Sequence, residues 1–364
     1  MIELSHTNQC GDQMRLIIIG FGNVGRSFLK MIGEKKKKGS NKFNSDLKAV
    51  AVLDRKGGAV DPNGINPEEL LKIDAKEGTV AAAPNIGQFG LSPLSAIKEI
   101  EADTILELTP TNPVNGEPAI TYIKAAIKEG KNVVTTNKGP PALAMRAIVD
   151  LASRKNVDFR FSGTVGGGTP ILEFVRQTVE VDEILSLKAI LNGTTNYILS
   201  KMYDEEIPMN EALKQAQLMG YAEKDPSLDI NGIDPALKLT IIANYGLKRR
   251  YDFKDIRTIG ITGVNLDKIR KAKKEKRKVK LLCTIEKDAI IAPQSIETSD
   301  PICVDGSLNS IQLKTKHMGE VTLIGPGAGG YQTATSILSD LLAIEGTSYY
   351  LNQSRIPNVH EALS

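Results

Sequence analysis

The junction at residues 15–32 constrains this chain most. Arg15-Leu16-Ile17-Ile18-Ile19 is a short apolar run of the kind that makes a buried strand, and it leads directly into Gly20-Phe21-Gly22-Asn23-Val24-Gly25. Arg26 to Ile32 then reads as the start of an amphipathic helix. Strand, glycine-rich turn and helix in that order form the opening of a βαβ dinucleotide-binding unit. Gly20 permits the tight turn, Gly22 lets backbone approach a pyrophosphate with no Cβ in the way, and Gly25 lets the helix pack on the strand. The first N–H groups of the helix, around Asn23 and Val24, then face the anion.

The α/β rhythm continues. Leu47 to Leu53 reads as a second buried strand ending at Asp54-Arg55-Lys56, where such a unit places an acid for the ribose or a basic partner for a 2′-phosphate. Both kinds of residue are present, and two cations beside the acid favour NADP, with NAD as the alternative. The polar stretch from Gly33 to Asp46, rich in lysine, is read as a solvated loop in preference to a phosphate clamp. Asp103 to Leu108 and Lys131 to Thr136 read as further strands, with a helix over Ala119 to Ile127 between them. In an open parallel sheet, ligands sit beyond the carboxyl ends of the strands, so Thr109, Asn137 and Lys138 should face the cofactor crevice. For Lys138 a plain surface lysine in a loop is the competing account.

Composition narrows the class. A chain of 364 residues should hold two or three domains. Its 41% hydrophobic and 24% charged residues exclude wholesale disorder and membrane-embedded bulk. There is no run of the ~18–20 apolar residues that a spanning helix needs, and Met1 to Met14 lacks the form of a secretory signal. Cys10, Cys283 and Cys303 form neither a disulfide framework nor a thiolate metal site, which fits a reducing cytoplasm. His6, His317 and His360 have no metal-ligand spacing, so the working acid or base is expected to be another residue type. A formal net charge of +3 is too mild to imply nucleic acid.

Two further glycine-rich segments follow. Phe161 to Pro170, containing Ser162, Val165, Gly167 and Thr169, is either a flexible crossing between domains or a loop whose backbone faces a ligand or ion. Gly325 to Gly330, with Gly327 and Gly329, precedes an evident helix over Tyr331 to Leu342. The basic stretch Lys268 to Lys280 has no interleaved aromatic residues to stack on bases and is read as a solvated helix or loop. Polar residues are densest from Gly220 to Ile242. There Asp234 can cap a helix with Pro235 at its first position, and Lys238 lies four residues on, over the same face. An ordinary cap with an ion pair and an acid/base pair held among Leu237, Leu239, Ile241 and Ile242 are the two readings. A strand over Leu187 to Leu191 leads through Asn192-Gly193-Thr194 to another helix, and the N–H groups of Gly193 and Thr194 could hold a carboxylate.

Taken together, G-F-G-N-V-G, T-T-N-K-G-P, T-V-G-G-G-T-P, L-N-G-T-T-N-Y-I-L, A-Q-L-M-G-Y-A-E-K-D-P-S-L-D-I-N-G-I-D-P-A-L-K and G-P-G-A-G-G closely resemble homoserine dehydrogenase, in the same order and over nearly the whole chain. The resemblance implies an α/β protein in which a Rossmann-type doubly wound nucleotide-binding domain joins a mixed α+β substrate and dimerisation domain. It implies NAD(P)-linked interconversion of L-aspartate 4-semialdehyde and L-homoserine, on the route to threonine and methionine, by a cytoplasmic homodimer.

Residue by residue, the resemblance assigns the acid/base to Lys238, a second active-site lysine to Lys138, and further active-site carboxylates to Asp229 and Asp234. It assigns Glu223 to the substrate amino group and adds Tyr221, Gly193 and Thr194 to the substrate site. It places a monovalent cation such as sodium on the carbonyls of Ser162, Val165, Gly167 and Thr169, although this chain has Ser162-Gly163 where the family more often has Glu-Ala. The expected division is residues 14–155, completed by 325–364, for the nucleotide and 156–324 for substrate and dimer. The length leads to the expectation of a monofunctional form without a fused aspartate kinase or an ACT-type regulatory domain.

Overall fold

A computed structural model describes residues 13–37, 46–247 and 249–346. The reading of the amino-terminal tail therefore lies outside the described residues, apart from its last two. The first sheet is built from β1 (Gln13–Ile19), β2 (Asp46–Leu53), β3 (Gly57–Val60), β4 (Gly87–Phe89), β5 (Thr104–Glu107), β6 (Asn132–Thr135) and β7 (Phe159–Arg160). Their order is β4-β3-β2-β1-β5-β6-β7. β2, β1, β5, β6 and β7 run parallel, while β3 and β4 add an antiparallel edge. The chain steps outward from β1 to β2 on one side and resumes at β5 on the other. A crevice therefore opens at the carboxyl ends of β1 and β5, the switch point where such sheets bind ligands.

The near-continuous apolar character of β1 follows from burial on both faces. Leu16 and Ile18 pack with Phe28, Leu29, Ile337 and Leu341, whereas Ile17 and Ile19 pack with Ile105, Ile123 and Ile127 on the other side. Each such side chain contributes roughly 1.5–3 kcal/mol of burial. Ile337 and Leu341 belong to the helix Gly330–Ile344, so a segment late in sequence completes the first core.

The second sheet comprises β8 (Ile184–Ile190), β9 (Arg257–Thr258), β10 (Arg277–Ile285), β11 (Ala289–Glu297), β12 (Leu308–Thr315) and β13 (Glu320–Pro326), in the order β13-β12-β8-β10-β11-β9. All its pairings are antiparallel except that of β11 with β9. Leu187, Ala189, Leu281, Ile311 and Leu313 form a face against Leu237, Leu239 and Ile241 of the helix Ile233–Ile241. No described helix is long and apolar enough to cross a membrane.

Three expectations are corrected here. The segment after Gly33 is not loop from its start, because the helix Asn23–Lys37 runs through it; residues 38–45 lie outside the described residues. The basic stretch Lys268 to Lys280 is only partly a solvated element. Its first part is the amphipathic helix Leu266–Lys274, but Arg277 onward enters β10 and buries Lys280. That ammonium is satisfied by Asn196, Ser200 and Asp305 at 2.8–3.0 Å, which is what permits a lysine inside a sheet. Finally, Asp234 is not a helix cap. Gly232, in the left-handed region at φ 81°, occupies that position, and Asp234 lies within the first turn.

Candidate active site

The three glycine clusters, more than a hundred residues apart in sequence, come together at the mouth of the first sheet. Gly20 has φ 103°, and a Cβ there would lie 2.6 Å from the Leu108 carbonyl oxygen, so the turns after β1 and β5 touch. A Cβ on Gly25 would lie 2.6 Å from the Gly20 carbonyl, which is why helix and strand can pack this closely. At Gly22 a Cβ would meet nothing within 4 Å. That open space beside the first N–H groups of the helix Asn23–Lys37 is a cradle that fits a pyrophosphate. Gly330 packs on Asn23, where a Cβ would be 2.7 Å from Oδ1, and a Cβ on Gly167 would be 3.1 Å from the Ala328 nitrogen. Val24 leans into the core behind the turn. Gly327 lies against the buried Asn309, and Gly329 precedes the helix Gly330–Ile344.

At the end of β2 the Asp54 carboxylate turns to the backbone, accepting from the N–H groups of Lys56 at 2.7 Å and Val80 at 2.9 Å. Burial pushes this carboxyl up, but hydrogen bonds from Thr79 and these amides outweigh it and hold it below its ordinary value. Arg55 and Lys56 are exposed beside it.

The second part of the site joins the two sheets. Asp234 is ion-paired through both oxygens: Lys238 Nζ lies 2.8 Å from Oδ2, and Lys138 Nζ lies 3.3 Å from Oδ1. Lys238 is 6% exposed and also donates to the Leu191 carbonyl at 2.6 Å. Lys138 comes from the loop after β6, at the start of the helix Gly139–Lys155, so the pair spans the first sheet and the helices of the second. Burial pushes the Asp234 carboxyl up, yet the ammonium groups of Lys238 and Lys138 more than offset this and hold it well below the usual carboxylate range. Asp229 goes the other way: burial and the charge on Asp234 raise it, against a hydrogen bond from Asn192.

Asn192 was not among the sequence-predicted site residues, although asparagine at the foot of a helix is a recognisable N-cap signal. It caps the helix Gly193–Asp204 by accepting from Thr195 N–H at 2.9 Å, and its amide donates to Asp229 at 2.6 Å and Asp234 at 2.9 Å. One side chain thus fixes a helix start and orients two carboxylates. A Cβ on Gly193 would lie 2.7 Å from the Ser307 carbonyl, and Thr194 donates to the Tyr221 carbonyl at 2.7 Å. The Tyr221 ring packs on Tyr197 at 4.9 Å. Glu223 stands apart: it is exposed, and among the described residues its carboxylate makes no hydrogen bond or ion pair with the Asp229, Asp234 and Lys238 cluster.

Glu107 was also missed. It ends β5, is fully buried, and accepts from Thr109 N–H at 3.0 Å, from the Thr109 hydroxyl and from the Thr135 hydroxyl at 2.7 Å. In the second glycine loop, the carbonyls of Ser162, Gly167 and Thr169 accept from Val165 N–H, the Ser336 hydroxyl and Ile171 N–H. The Ser162 hydroxyl is engaged with Glu173 and Asp340.

Comparison with known proteins agrees with this architecture. Residues 170–342 match the family model for homoserine dehydrogenase, and residues 3–151 match that for glutamate/leucine/phenylalanine/valine dehydrogenase. Over 333 residues the chain is 38% identical to a homoserine dehydrogenase of Methanocaldococcus jannaschii, covering 91% of this chain and 98% of that one. It is 34% identical to an NAD(+)-dependent homoserine dehydrogenase of Pseudomonas canavaninivorans, covering 91% and 96%. The structure superposes on a hyperthermophilic archaeal homoserine dehydrogenase in complex with NADPH with a TM-score of 0.80, at 27% identity and covering 92% and 98% of the two chains. A homoserine dehydrogenase from Thiobacillus denitrificans gives a TM-score of 0.80 at 28% identity, covering 95% of this chain and 76% of that one. With relatives this similar across both halves, the chain belongs to the homoserine dehydrogenase family.

Proposed function

We propose that this member of the family interconverts L-aspartate 4-semialdehyde and L-homoserine, with Lys238 as the group that moves the proton at the reacting oxygen. The observation that carries the reading is the Asp234 carboxylate shared between Lys238 and Lys138 beside the open dinucleotide cradle. When bound, the nicotinamide dinucleotide supplies or accepts the hydride. Everything else falls to this chain. Gly20, Gly22 and Gly25 with the N–H groups near Asn23 and Val24 hold the pyrophosphate, and Thr109, Gly327 and Gly329 complete the walls. Asp54 orders the turn at the ribose end, where exposed Arg55 and Lys56 pair with a 2′-phosphate and make NADP the preferred form.

At the reacting centre, the Lys238 ammonium stabilises the developing alkoxide and then protonates it; in the oxidation direction its amine takes the proton back. Asp234 holds that nitrogen in place on one side and Leu191 on the other. Lys138 adds a second positive charge at the same carboxylate and faces the cofactor crevice. Glu223, Asp229, Tyr221 and the Gly193 and Thr194 turn bind the amino-acid end of the substrate. Glu223 reaches the substrate from solvent, which agrees with its separation from the buried cluster.

The finer reading divides the chain into residues 14–155 with 325–364 for the dinucleotide and 156–324 for substrate and dimerisation, in a cytoplasmic homodimer. A monovalent cation such as sodium would use the second lone pairs of the Ser162, Val165, Gly167 and Thr169 carbonyls, with Glu173 and Asp340 nearby for charge. No catalytic step passes through it.

The test is absorbance at the reduced-nicotinamide band during L-homoserine oxidation, run in parallel with NAD and with NADP. A homoserine-dependent rise that is faster with NADP is expected. Folded, dinucleotide-binding protein that gives no rise with either would sink the reading.

A further inference from the structure

We propose that Glu107 is a positioning residue: clamped between the ends of β5 and β6, its carboxyl sets the backbone that carries Lys138 into its pairing with Asp234. The proposal rests on the functional reading above and concerns a residue that makes no contact with Lys138 itself.

Glu107 and Thr135 are register partners on neighbouring parallel strands, so their side chains emerge on the same side of the sheet at its carboxyl end. Burying a carboxyl there is costly unless donors meet it. Three donors converge: the N–H and hydroxyl of Thr109 on one oxygen and the Thr135 hydroxyl on the other. Both hydroxyls are then free to accept from the next residue in the chain of contacts. The Thr135 hydroxyl receives Asn137 N–H at 3.0 Å, and that of Thr109 receives the Asn137 amide at 3.3 Å. Asn137 in turn donates to the Pro110 carbonyl at 3.2 Å and accepts Gly139 N–H at 3.0 Å. Lys138 lies between these anchors, with its own N–H on the Thr111 hydroxyl at 3.2 Å.

The loops that follow β5 and β6 are thereby cross-tied, with Glu107 at the root. Of the two bonds from the Asn137 amide to the segment after β5, one passes through the Thr109 hydroxyl, whose proton is directed at Glu107, and the other goes to the Pro110 carbonyl; the Asn137 N–H rests on the Thr135 hydroxyl, which also donates to Glu107. Replacing one carboxyl oxygen by an NH₂ group gives a threonine hydroxyl a donor where it needs an acceptor, and the tie reverses or opens. The Lys138 backbone then loses its fixed position while the strands stay paired.

The experiment compares Glu107→Gln, Lys138→Ala and the double variant in the purified full-length protein. Glu107→Gln should lower kcat for homoserine oxidation about tenfold or more, the scale expected when a reacting group shifts by a fraction of an ångström to one ångström. In the Lys138→Ala background the same change should alter kcat by no more than about twofold. Equal fold losses in both backgrounds, or unchanged kcat with only a lower Tm, would overturn the proposal. Should Glu107→Gln fail to fold, Thr135→Val removes the same tie from the neighbouring strand, and Thr135→Ser should restore the rate. The ¹³C-methyl resonance of reductively methylated Lys138, identified by its loss in Lys138→Ala, gives a readout independent of turnover. It should move in Thr135→Val and return in Thr135→Ser; an unmoved resonance counts against the proposal. Absence of homoserine oxidation by the wild-type protein would strike the functional reading alone, and the resonance would still decide the positioning role.

Discussion

Asp234 carries two ammonium groups, Lys238 at 2.8 Å on one oxygen and Lys138 at 3.3 Å on the other, although the two lysines are 100 positions apart in the chain. The nearer lysine comes from the same helix and is buried; the farther one comes from the loop after β6 and is more open. Under the proposed function, Lys238 is the lysine that handles the proton. Lys238→Ala should cut turnover by about 10²–10⁴-fold while leaving dinucleotide affinity close to wild type. Steady-state rates together with fluorescence titration of the reduced cofactor check both halves of that statement, and near-normal turnover would remove Lys238 from the mechanism.

The two carboxylates around Asn192 have opposite linkages to pH. Asp234 is held low, so its contribution to stability is complete above the ordinary carboxylate value and is lost only as the pH falls below it. Asp229 is held high, so the native state binds its proton more tightly than the unfolded chain, and stability falls as the pH rises through that raised value. Asp229→Asn keeps an oxygen for the Asn192 amide and removes the titration. Urea midpoints measured from about pH 4 to pH 8 should decline less with pH in the variant than in the wild type; parallel curves would contradict the assignment.

Two neighbouring glycines should respond differently to one added methyl group. At Gly25 the methyl meets the Gly20 carbonyl, so Gly25→Ala should cost about 1–3 kcal/mol of stability and loosen the strand-to-helix turn. At Gly22 it enters open space, so Gly22→Ala should leave the unfolding midpoint near wild type but weaken dinucleotide binding. Thermal unfolding without ligand, followed by cofactor titration, separates the two effects. If Gly22→Ala bound the dinucleotide normally, the pyrophosphate would have to sit elsewhere.

Under the proposed function, cofactor choice turns on the exposed end of β2. Since Asp54 is occupied with Lys56 and Val80 backbone, the side chains left facing solvent are Arg55 and Lys56. Arg55→Ala should raise the KM for NADP about tenfold, the loss of one charge-assisted phosphate contact, while that for NAD moves little. Equal change in both would sink the pairing of Arg55 with a 2′-phosphate.

How much was legible in advance depends on how far each signal reaches along the chain. The strand over Arg15 to Ile19, the turn at Gly20 to Gly25 and the helix after it are local patterns, and the structure places them within a few residues of the reading. The ion pair between Asp234 and Lys238 is also local, since four residues is one helical turn; it survives even though Gly232 rather than Asp234 caps the helix. The extent of the helix past Gly33 and the burial of Lys280 were misread because lysine-rich composition indicates solvent only on average. An amphipathic helix can carry such a run, and a sheet interior can hold one ammonium when three acceptors meet it.

By itself the sequence determined the dinucleotide unit, the alternation of strands and helices, and the residue types available for proton transfer, because periodicity, glycine geometry and helical spacing act over a few residues. Only the tertiary structure decided that three distant glycine clusters share one mouth, that Lys138 reaches Asp234, that Asn192 orients two acids, and that Glu107 ties β5 to β6. Each of these depends on contacts between segments far apart in the chain. Their free energies come from burial and from satisfying polar groups out of water, terms that exist only once both sheets and their covering helices have closed on one another.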